Sequence, residues 1–551
     1  MNRFIRNHRT SFIVILLFFL FMVLSQWYRG AFQNECGAHP DEAAHYINGL
    51  MVHDYMTSWS FGSPIDYAEN YYIHYPKVTL GHWPPVFYII QALWGMLFSP
   101  TRTSILVAIA LLASFIAFLV YRALRDDFGQ AAGILAGILL LSLPSFQESA
   151  SSIMGEIPLT LFIFGAALRY GHFLDSTRWR QIFAFSILAA LAILTKGNGY
   201  LLATLPPVAV LIGRRPRLLL RRIFWAPAVI IVLISGPFYW LTRGMLEYSF
   251  HRQVPTFLTL YVIVKTFLNH LVGILGLGLS LVALIGLICE AIMPSFRKTI
   301  TGKWASVAAL VLSVWLFHSA VTTSLEARFI IPAAPAMVML VTAGIASLAR
   351  RLPFFHLSYQ RKMVIGMILA LLFTAGRTYR FPKPVWYGFS DVAEKLLSIS
   401  DLEDSVVLIS SDPRGQGMFI AEMAEREDRP AHIILRADKV LSTSDWHGRE
   451  YRSYFNTPEK MMDYLRSIPV GVVIIDRSVP LTEQTPDQHL LKKTLQLYSS
   501  SWDPFGSFPV VREGIRYPDA IQIHRLAGHE DQPVSTILID MQKTLGRFIK
   551  K

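Results

Sequence analysis

Up to about residue 380 the chain alternates long apolar runs with short polar loops. At about 20 residues per membrane span, eleven runs qualify, near residues 11–29, 102–122, 130–146, 157–174, 181–195, 199–213, 222–241, 271–292, 304–323, 328–349 and 363–379. The segment "QVPTFLTLYVIVKTFLNHL" (253–271) has room for a further partial span. The loop after the first run, residues 30–101, is too long for a simple connector. Within it, "DEAAHYINGLMVHDYM" has amphipathic spacing and "PPVFYIIQALWGMLF" (84–98) is short for a span, so both predict helices lying along an interface. Beyond residue 380 the apolar runs shrink to strand size ("SVVLISS", "AHIILRA", "VGVVIID"). They alternate with helical stretches such as "GMFIAEMAERE" and "PEKMMDYLRSI". That pattern predicts a small α/β domain with a mainly parallel sheet. The expected architecture is a polytopic α-helical membrane protein of about eleven spans (1–380) with a C-terminal soluble α/β domain (381–551).

Composition agrees with this reading. Of 551 residues, 53% are hydrophobic and only 16% charged, where soluble domains average about a quarter charged. The net charge of +13 sits mostly in five loop clusters, "MNRFIRNHR", "YRALR", "RRPRLLLRR", "SFRKTITGK" and "ARRLPFFHLSYQRK". An inside N-terminus places all five on the cytoplasmic side, the positive-inside distribution of an inner (plasma) membrane protein. It places residues 30–101, "SFQESASSIMGE", "TKGNGY", 242–270, "TTSLEAR" and the C-terminal domain on the periplasmic or extracellular side. Nucleic acid is excluded as a partner, because the basic residues form no groove with aromatic platforms. Cys36 and Cys289 imply no disulfide framework. The first apolar run is long for a signal peptide, and "SQWYRGAFQ" offers no small-x-small cleavage site, so a retained span is expected.

Against this apolar background, polar chemistry collects on the expected outer face. "GAHPDEAAHY" (37–46) carries Asp41 and Glu42; further along stand His82 in "GHWPPVFY", Glu156 in "MGEIPL", Lys196 in "TKGNGY" and Arg328 in "EARFIIPAAP". Each has a plain reading. Asp41 and Glu42 suit a helix start after Pro40, His82 an interfacial turn, Glu156 a cap, and Lys196 and Arg328 snorkelling to headgroups. His39 and His45 read as interfacial residues. Six ionisable residues on one face nevertheless point to a site. A carboxylate there can take a proton from an attacking hydroxyl, and fixed cations can hold a phosphate whose hydrocarbon tail stays in lipid. "SDPRGQG", between a strand and a helix, lacks both the Lys-Ser/Thr ending and the G-x-G-x-x-G spacing of phosphate loops, and reads as an ordinary turn.

In order along the chain, an inside N-terminus and first span, "DE" followed by His and Tyr in "DEAAHY", then "HWPPVFY", "TKGNG" and "RFIIPAAP" resemble the GT-C superfamily of polytopic glycosyltransferases that use polyprenyl-phosphate sugars. The branch most resembled is the protein O-mannosyltransferase and lipid A aminoarabinose transferase group, over residues 1–380. The resemblance implies Asp41 as general base or acceptor anchor, with Glu42 its adjacent catalytic partner. It implies Lys196 and Arg328 at the donor phosphate, Glu156 as the second acidic position and Pro84-Pro85 as the Pro-Pro turn. Trp83 stands where the aminoarabinose branch has a lysine, which argues against that particular activity; His82 is the neighbouring candidate for a substrate or ion contact. Some members bind a divalent ion. Glu156, His82 and Asp41 offer ligands, but without tight spacing, and no metal is assigned. The implied partners are a polyprenyl-phosphate-linked sugar, membrane lipids and a lipid, glycan or protein acceptor. The rival readings are a transporter or lipid flippase, a membrane scaffold, and a related oligosaccharide transferase with a diphosphate donor.

Overall fold

The computed structural model describes the chain except residues 1, 59–61, 80, 244–255, 293–299, 322–323, 352–356, 384, 400–401, 403–404, 445–447, 469, 529–537, 542–546 and 551. Parts of several sequence features therefore lie outside the described residues, among them the basic loops at 295–303 and 349–362, "TTSLEAR", the outer segment 242–270 and the long loop 30–101.

Helix α1 (Asn2–Tyr28) opens the chain, and α2 (Glu42–Thr57), α3 (Pro64–His74) and α4 (Val86–Leu97) occupy the long first loop. The next helices are α5 (Arg102–Phe128), α6 (Gln130–Ser142), α7 (Pro144–Ala150), α8 (Glu156–Ser176), α9 (Trp179–Ile193), α10 (Leu205–Ile212) and α11 (Arg222–Leu241). After them come α12 (Phe257–Leu275), α13 (Leu277–Leu287), α14 (Gly302–Ala320), α15 (Ala334–Arg351) and α16 (Tyr359–Arg380). The remaining helices are α17 (Phe389–Leu397), α18 (Pro413–Arg426), α19 (Ala437–Val440), α20 (Pro458–Ser467) and α21 (Pro486–Leu497). Packing divides the chain into two compact units. One holds Met1–Arg29, Leu106–Trp240 and Gln253–Pro382; the other holds Gly30–Ile105, Leu241–Arg252 and Lys383–Lys551.

The first unit is a helical bundle. Among the described residues, eight helices are long and apolar enough to cross a membrane. The pair α6 and α7 makes a ninth candidate, bent by 69°. Pro144 explains the bend: it pushes the residue before it out of the helical region, and Leu143 is extended (φ −64°, ψ 132°).

Hydrogen bonds sort the helix ends of this bundle into two groups. At one end Gln26 donates to the carbonyls of Leu106 (2.8 Å) and Ala150 (2.7 Å), and Thr378 donates to Ser142 O (2.6 Å). At the other end Lys303 meets Asp127 (2.6 Å), and Asp175 accepts from Gly302 N (2.7 Å) and Arg215 (3.2 Å). The described residues of the basic loops lie at this second end, where Arg214 also reaches Ile292 O and Arg351 reaches Cys289. The segment given room for a partial span is a full helix, α12. It does not disturb the alternation. Helix α11 arrives at the first end, where Tyr239 donates to Ile193 O (3.2 Å), and α13 leaves from that end, with Gly276 against the Arg377 guanidinium.

Two helices of the bundle touch backbone to backbone. A Cβ on Gly286 of α13 would collide with Leu340 O of α15, and a Cβ on Gly344 of α15 would collide with Val282 O of α13. Small residues permit this approach, which is how helices associate where burial from water supplies no drive.

The second unit joins the first loop to the C-terminal sheet. The sequence boundary at residue 380 follows composition, whereas packing groups 30–105 with 383–551. The strands are β1 (Trp386–Tyr387), β2 (Val406–Ser410), β3 (Ile433–Arg436), β4 (Ser442–Thr443), β5 (Arg452–Ser453), β6 (Val470–Asp476), β7 (Trp502–Arg512), β8 (Ile515–Leu526), β9 (Leu538–Met541) and β10 (Arg547–Lys550). The main sheet has the order β1-β7-β8-β6-β2-β3. It is mixed, which corrects the mainly parallel expectation. Only β2 pairs parallel, with β3 and β6; β6·β8, β7·β8 and β1·β7 are antiparallel. The three parallel strands are the three apolar runs. The antiparallel part comes from a hairpin whose turn residues Glu513 (φ 51°) and Gly514 (φ 82°) both have positive φ, the turn that suits twisted antiparallel strands.

Helix α2 also departs from expectation. Its first nine residues, Glu42 to Leu50, are all buried, so it is a packed helix rather than an interfacial one; α4 and α18 pack against it. Helix α4 keeps Ile89, Leu93, Met96 and Leu97 exposed, an apolar stripe of the kind an interfacial helix presents.

The bundle contact gives a first prediction. Gly344→Leu should lower the yield of monodisperse detergent-solubilised protein sharply, measured by fluorescence-detected size exclusion, while Gly376→Leu, at a helix position with open space, should not. Equal behaviour of the two variants would contradict the backbone contact.

Candidate functional site

In the bundle, three of the predicted residues meet. Glu156 is the first residue of α8, the N-cap position being Gly155, and it is 2% exposed. Lys196 follows α9 in an extended conformation and leads into a tight turn, Gly197–Ala203. That turn folds back on the end of α9, where Gly199 has no room for a Cβ against the Ala192–Ile193 backbone. Arg328 lies in a second tight turn, Ala327–Ala333. Lys196 Nζ is 2.5 Å from Glu156 Oε1, and Arg328 Nη1 is 3.7 Å from the same oxygen. Arg328 Nε also donates to Glu326 Oε2 at 2.6 Å. The Phe329 ring lies 5.4 Å from both cationic groups, and His318 stacks on it (5.7 Å, 16°). These cations are turned inward to a shared carboxylate, which is not the geometry of headgroup snorkelling.

This arrangement is at the bundle end opposite the basic loops. Helix α8 runs from Glu156 to the Asp175 end, and α9 runs back to Lys196. Glu156, Lys196 and Arg328 therefore share one end of the bundle, and the described residues of the basic loops the other. Chemically, one buried carboxylate fixes two multivalent hydrogen-bond donors in place. Such a pair can accept a further anionic oxygen without reorganising.

Asp41, Glu42 and His82 belong to the second unit, where the two adjacent carboxylates part company. Glu42 is fully buried (0% exposed); its Oε1 meets Arg102 Nη2 at 3.0 Å and its Oε2 accepts from Ala38 N at 3.0 Å. Arg102 also donates to the carbonyls of Ala31 (2.8 Å) and Asn34 (2.5 Å), so the pair pins residues 31–42 to the start of α5. Asp41 occupies the N-cap position of α2 but does not cap the helix; its side chain is 38% exposed, 3.4 Å from His39 Nδ1. Burial lowers the His82 imidazole from its usual value, and the Asp41 charge partly opposes this. His45 is buried, bonded to Tyr88 Oη (2.9 Å) and stacked on Trp83 at 4.1 Å, so it is a packing residue rather than an interfacial one. The ligands offered for a divalent ion do not form a set. Among the described residues no three His, Cys, Asp or Glu side chains are grouped as a metal ion requires.

Sequence reasoning missed Arg102, His318 and Lys77. For Lys77 a signal existed: it is the single Lys or Arg between Gly30 and Thr101.

Comparison with known proteins bears on the whole arrangement. Residues 82–240 match the family model for dolichyl-phosphate-mannose-protein mannosyltransferase. No curated protein sequence matches the chain significantly. Among solved structures, ArnT from Cupriavidus metallidurans in the apo state superposes with a TM-score of 0.57 at 15% identity, covering 94% of this chain and 98% of that one. The chain shares the fold of ArnT. ArnT bound to undecaprenyl phosphate is similar to this chain at a TM-score of 0.55, 15% identity and coverage of 94% and 99%. The Archaeoglobus fulgidus oligosaccharyltransferase in complex with zinc and sulfate gives 0.52 at 15% identity, over 91% of this chain and 73% of that one.

The Glu42–Arg102 pair gives a stability prediction. Removing one partner of a buried ion pair leaves an uncompensated charge, at a cost of about 3–5 kcal/mol. Arg102→Met should therefore lower the thermal unfolding midpoint of the detergent-solubilised protein well below that of wild type. An unchanged midpoint would show that the pair contributes nothing.

Proposed function

We propose that the protein is an integral-membrane glycosyltransferase that moves a sugar from a polyprenyl-phosphate donor to an acceptor hydroxyl on the non-cytoplasmic face. The observation that carries this reading is the Glu156–Lys196–Arg328 cluster at the bundle end opposite the basic loops. The positive-inside distribution assigns the basic end to the cytoplasm, and so the cluster to the other side. The undecaprenyl phosphate bound by the similar ArnT supports a lipid-phosphate donor.

In this reading the acceptor oxygen attacks the sugar's anomeric carbon, the bond from that carbon to the phosphate oxygen breaks, and the acceptor proton goes to Asp41. Of the two adjacent carboxylates only Asp41 is exposed enough to meet a substrate, while Glu42 is committed to Arg102. The departing phosphate gains negative charge. Lys196 and Arg328 stabilise it, and Glu156 keeps both cations oriented. A phosphate leaves without protonation, so fixed cations matter more than a general acid. The mechanism passes no step through a metal ion. Charged groups gathered at one end of the bundle fit this chemistry better than a transport path, which needs polar groups near the midplane.

Two outcomes test the assignment in proteoliposomes supplied with polyprenyl-phosphate sugars. Asp41→Asn should cut turnover by about 10²–10⁴-fold while membrane insertion and the unfolding midpoint stay as in wild type; near-normal turnover would remove Asp41 as the base. Arg328→Ala should raise the apparent donor KM more than the acceptor KM, and equal changes in both would deny it the phosphate.

A further inference from the structure

Beside the Glu156–Lys196–Arg328 cluster lies an aromatic ring with no part in the scheme above. Phe329 is buried, at 8% exposure, in the tight turn Ala327–Ala333. Its ring centroid is 5.4 Å from Lys196 Nζ and 5.4 Å from Arg328 Cζ. Both distances are inside the roughly 6 Å at which a cation is attracted to the negative face of an aromatic ring. One cation comes from the segment after α9, the other from the residue next to the ring itself.

Packing fixes the orientation of this ring. His318, near the end of α14, stacks on it with centroids 5.7 Å apart and planes at 16°. The imidazole in turn has Phe317 at 5.2 Å and Phe267 of α12 at 5.5 Å. Helix α12 also holds the segment leading into the turn, where His270 Nε2 donates to Leu325 O at 3.0 Å. The two helices are themselves joined by Trp315 Nε1 of α14, which donates to Val264 O of α12 at 3.3 Å.

A carboxylate and an aromatic face restrain a cation in different ways. Each bond to Glu156 or Glu326 uses an N–H and cancels charge. The ring attracts the cation as a whole, takes up no single donor and adds no negative charge. Of the three N–H groups of an ammonium, that of Lys196 gives one to Glu156 Oε1, at 2.5 Å, among the described residues. We propose that Phe329 is the positioning residue for the two phosphate-binding cations: its face holds Lys196 and Arg328 beside Glu156 without spending their N–H groups or their charge, both of which a lipid-linked phosphate needs. This rests on the reading of Lys196 and Arg328 as the donor-phosphate pair. A leucine would fill much of the same space without the ring's quadrupole, so electrostatics and packing are separable at this position.

The test is binding of undecaprenyl phosphate to the full-length protein in lipid nanodiscs, with undecaprenol as the uncharged control. Wild type is compared with Phe329→Leu and with the chain carrying pentafluorophenylalanine at position 329, a ring of similar size whose face is positive. Both changes should weaken undecaprenyl phosphate binding by about 5- to 30-fold, the loss of a desolvated cation–π contact, and leave undecaprenol within about twofold. A single para fluorine, which weakens the face only in part, should give an intermediate loss. Wild-type affinity in the pentafluoro chain would overturn the proposal whatever Phe329→Leu does, because the ring would then serve packing alone. Equal losses toward the phosphate and the alcohol would overturn it too. Thermal unfolding of each variant identifies a folding defect, and the fluorinated chain keeps the test valid where Phe329→Leu fails to fold. Wild type binding undecaprenyl phosphate no more tightly than undecaprenol would remove the phosphate site itself, and this proposal with it.

Discussion

Carboxylates taken out of water have to be neutralised where they sit, and this constraint organises both units. An isolated buried charge costs several kcal/mol even after relaxation. Glu156 meets it with Lys196 and Arg328, Glu42 with Arg102, and Asp54 with a two-pronged contact to Arg429 at 2.8 and 3.0 Å. Burial works to raise the Asp54 carboxyl, and Arg429, with His53 and Tyr71, more than reverses it. Each pair joins segments far apart in sequence: 156 with 196 and 328, 42 with 102, 54 with 429. Glu35 obeys the same rule without a cation. Its carboxylate accepts from three backbone N–H groups, Gly388, Phe389 and Ser390, at the start of α17. The electrostatics of these acids therefore also defines the tertiary structure.

Local periodicity made much of the fold legible. The apolar runs became helices, and the three strand-sized runs became β2, β3 and β6. The loop cations and Glu156 lie at opposite ends of the bundle, as the alternation of spans required. What stayed hidden depends on partners distant in the chain. Strand β7, "WDPFGSFPVVR", carries two prolines and few consecutive apolar residues, so nothing local marks it; it is a strand because β8 and β1 pair with it. Helix α2 has amphipathic spacing, yet α4 on one side and α18 on another bury its first half. No period in the sequence reports that second partner.

The glycine-rich turn "SDPRGQG" shows how a motif can be right in kind and serve another purpose. It is a strand-to-helix turn, and Asp412 caps α18 by accepting from Gly415 N at 2.8 Å. A side-chain carboxylate thus sits where a phosphate-binding loop would hold its ligand, and Arg512 balances that charge at 3.0 Å. The glycines answer to close approach instead. Gly415 lies against Ser411 and the Arg512 guanidinium, and Gly417 against Ala43 and Lys77. The turn receives part of the first loop, not an external anion.

That contact also explains why two neighbouring acids, Asp41 and Glu42, differ so much in environment. At a helix start, successive side chains point in directions about 100° apart, since 3.6 residues make a turn. Packing α2 against α4 and α18 therefore buries one of two adjacent positions and leaves the other nearer the surface. Glu42 takes the buried direction and needs Arg102; Asp41 takes the open one and keeps an accessible carboxylate. The pair "DE" is then a division of labour. The second acid locks the loop to the start of α5, and the first keeps a partly exposed carboxylate beside that lock. A glutamine at 42 would still fill the space but would forfeit the charge that holds Arg102, so the geometry of position 41 depends on the chemistry of position 42.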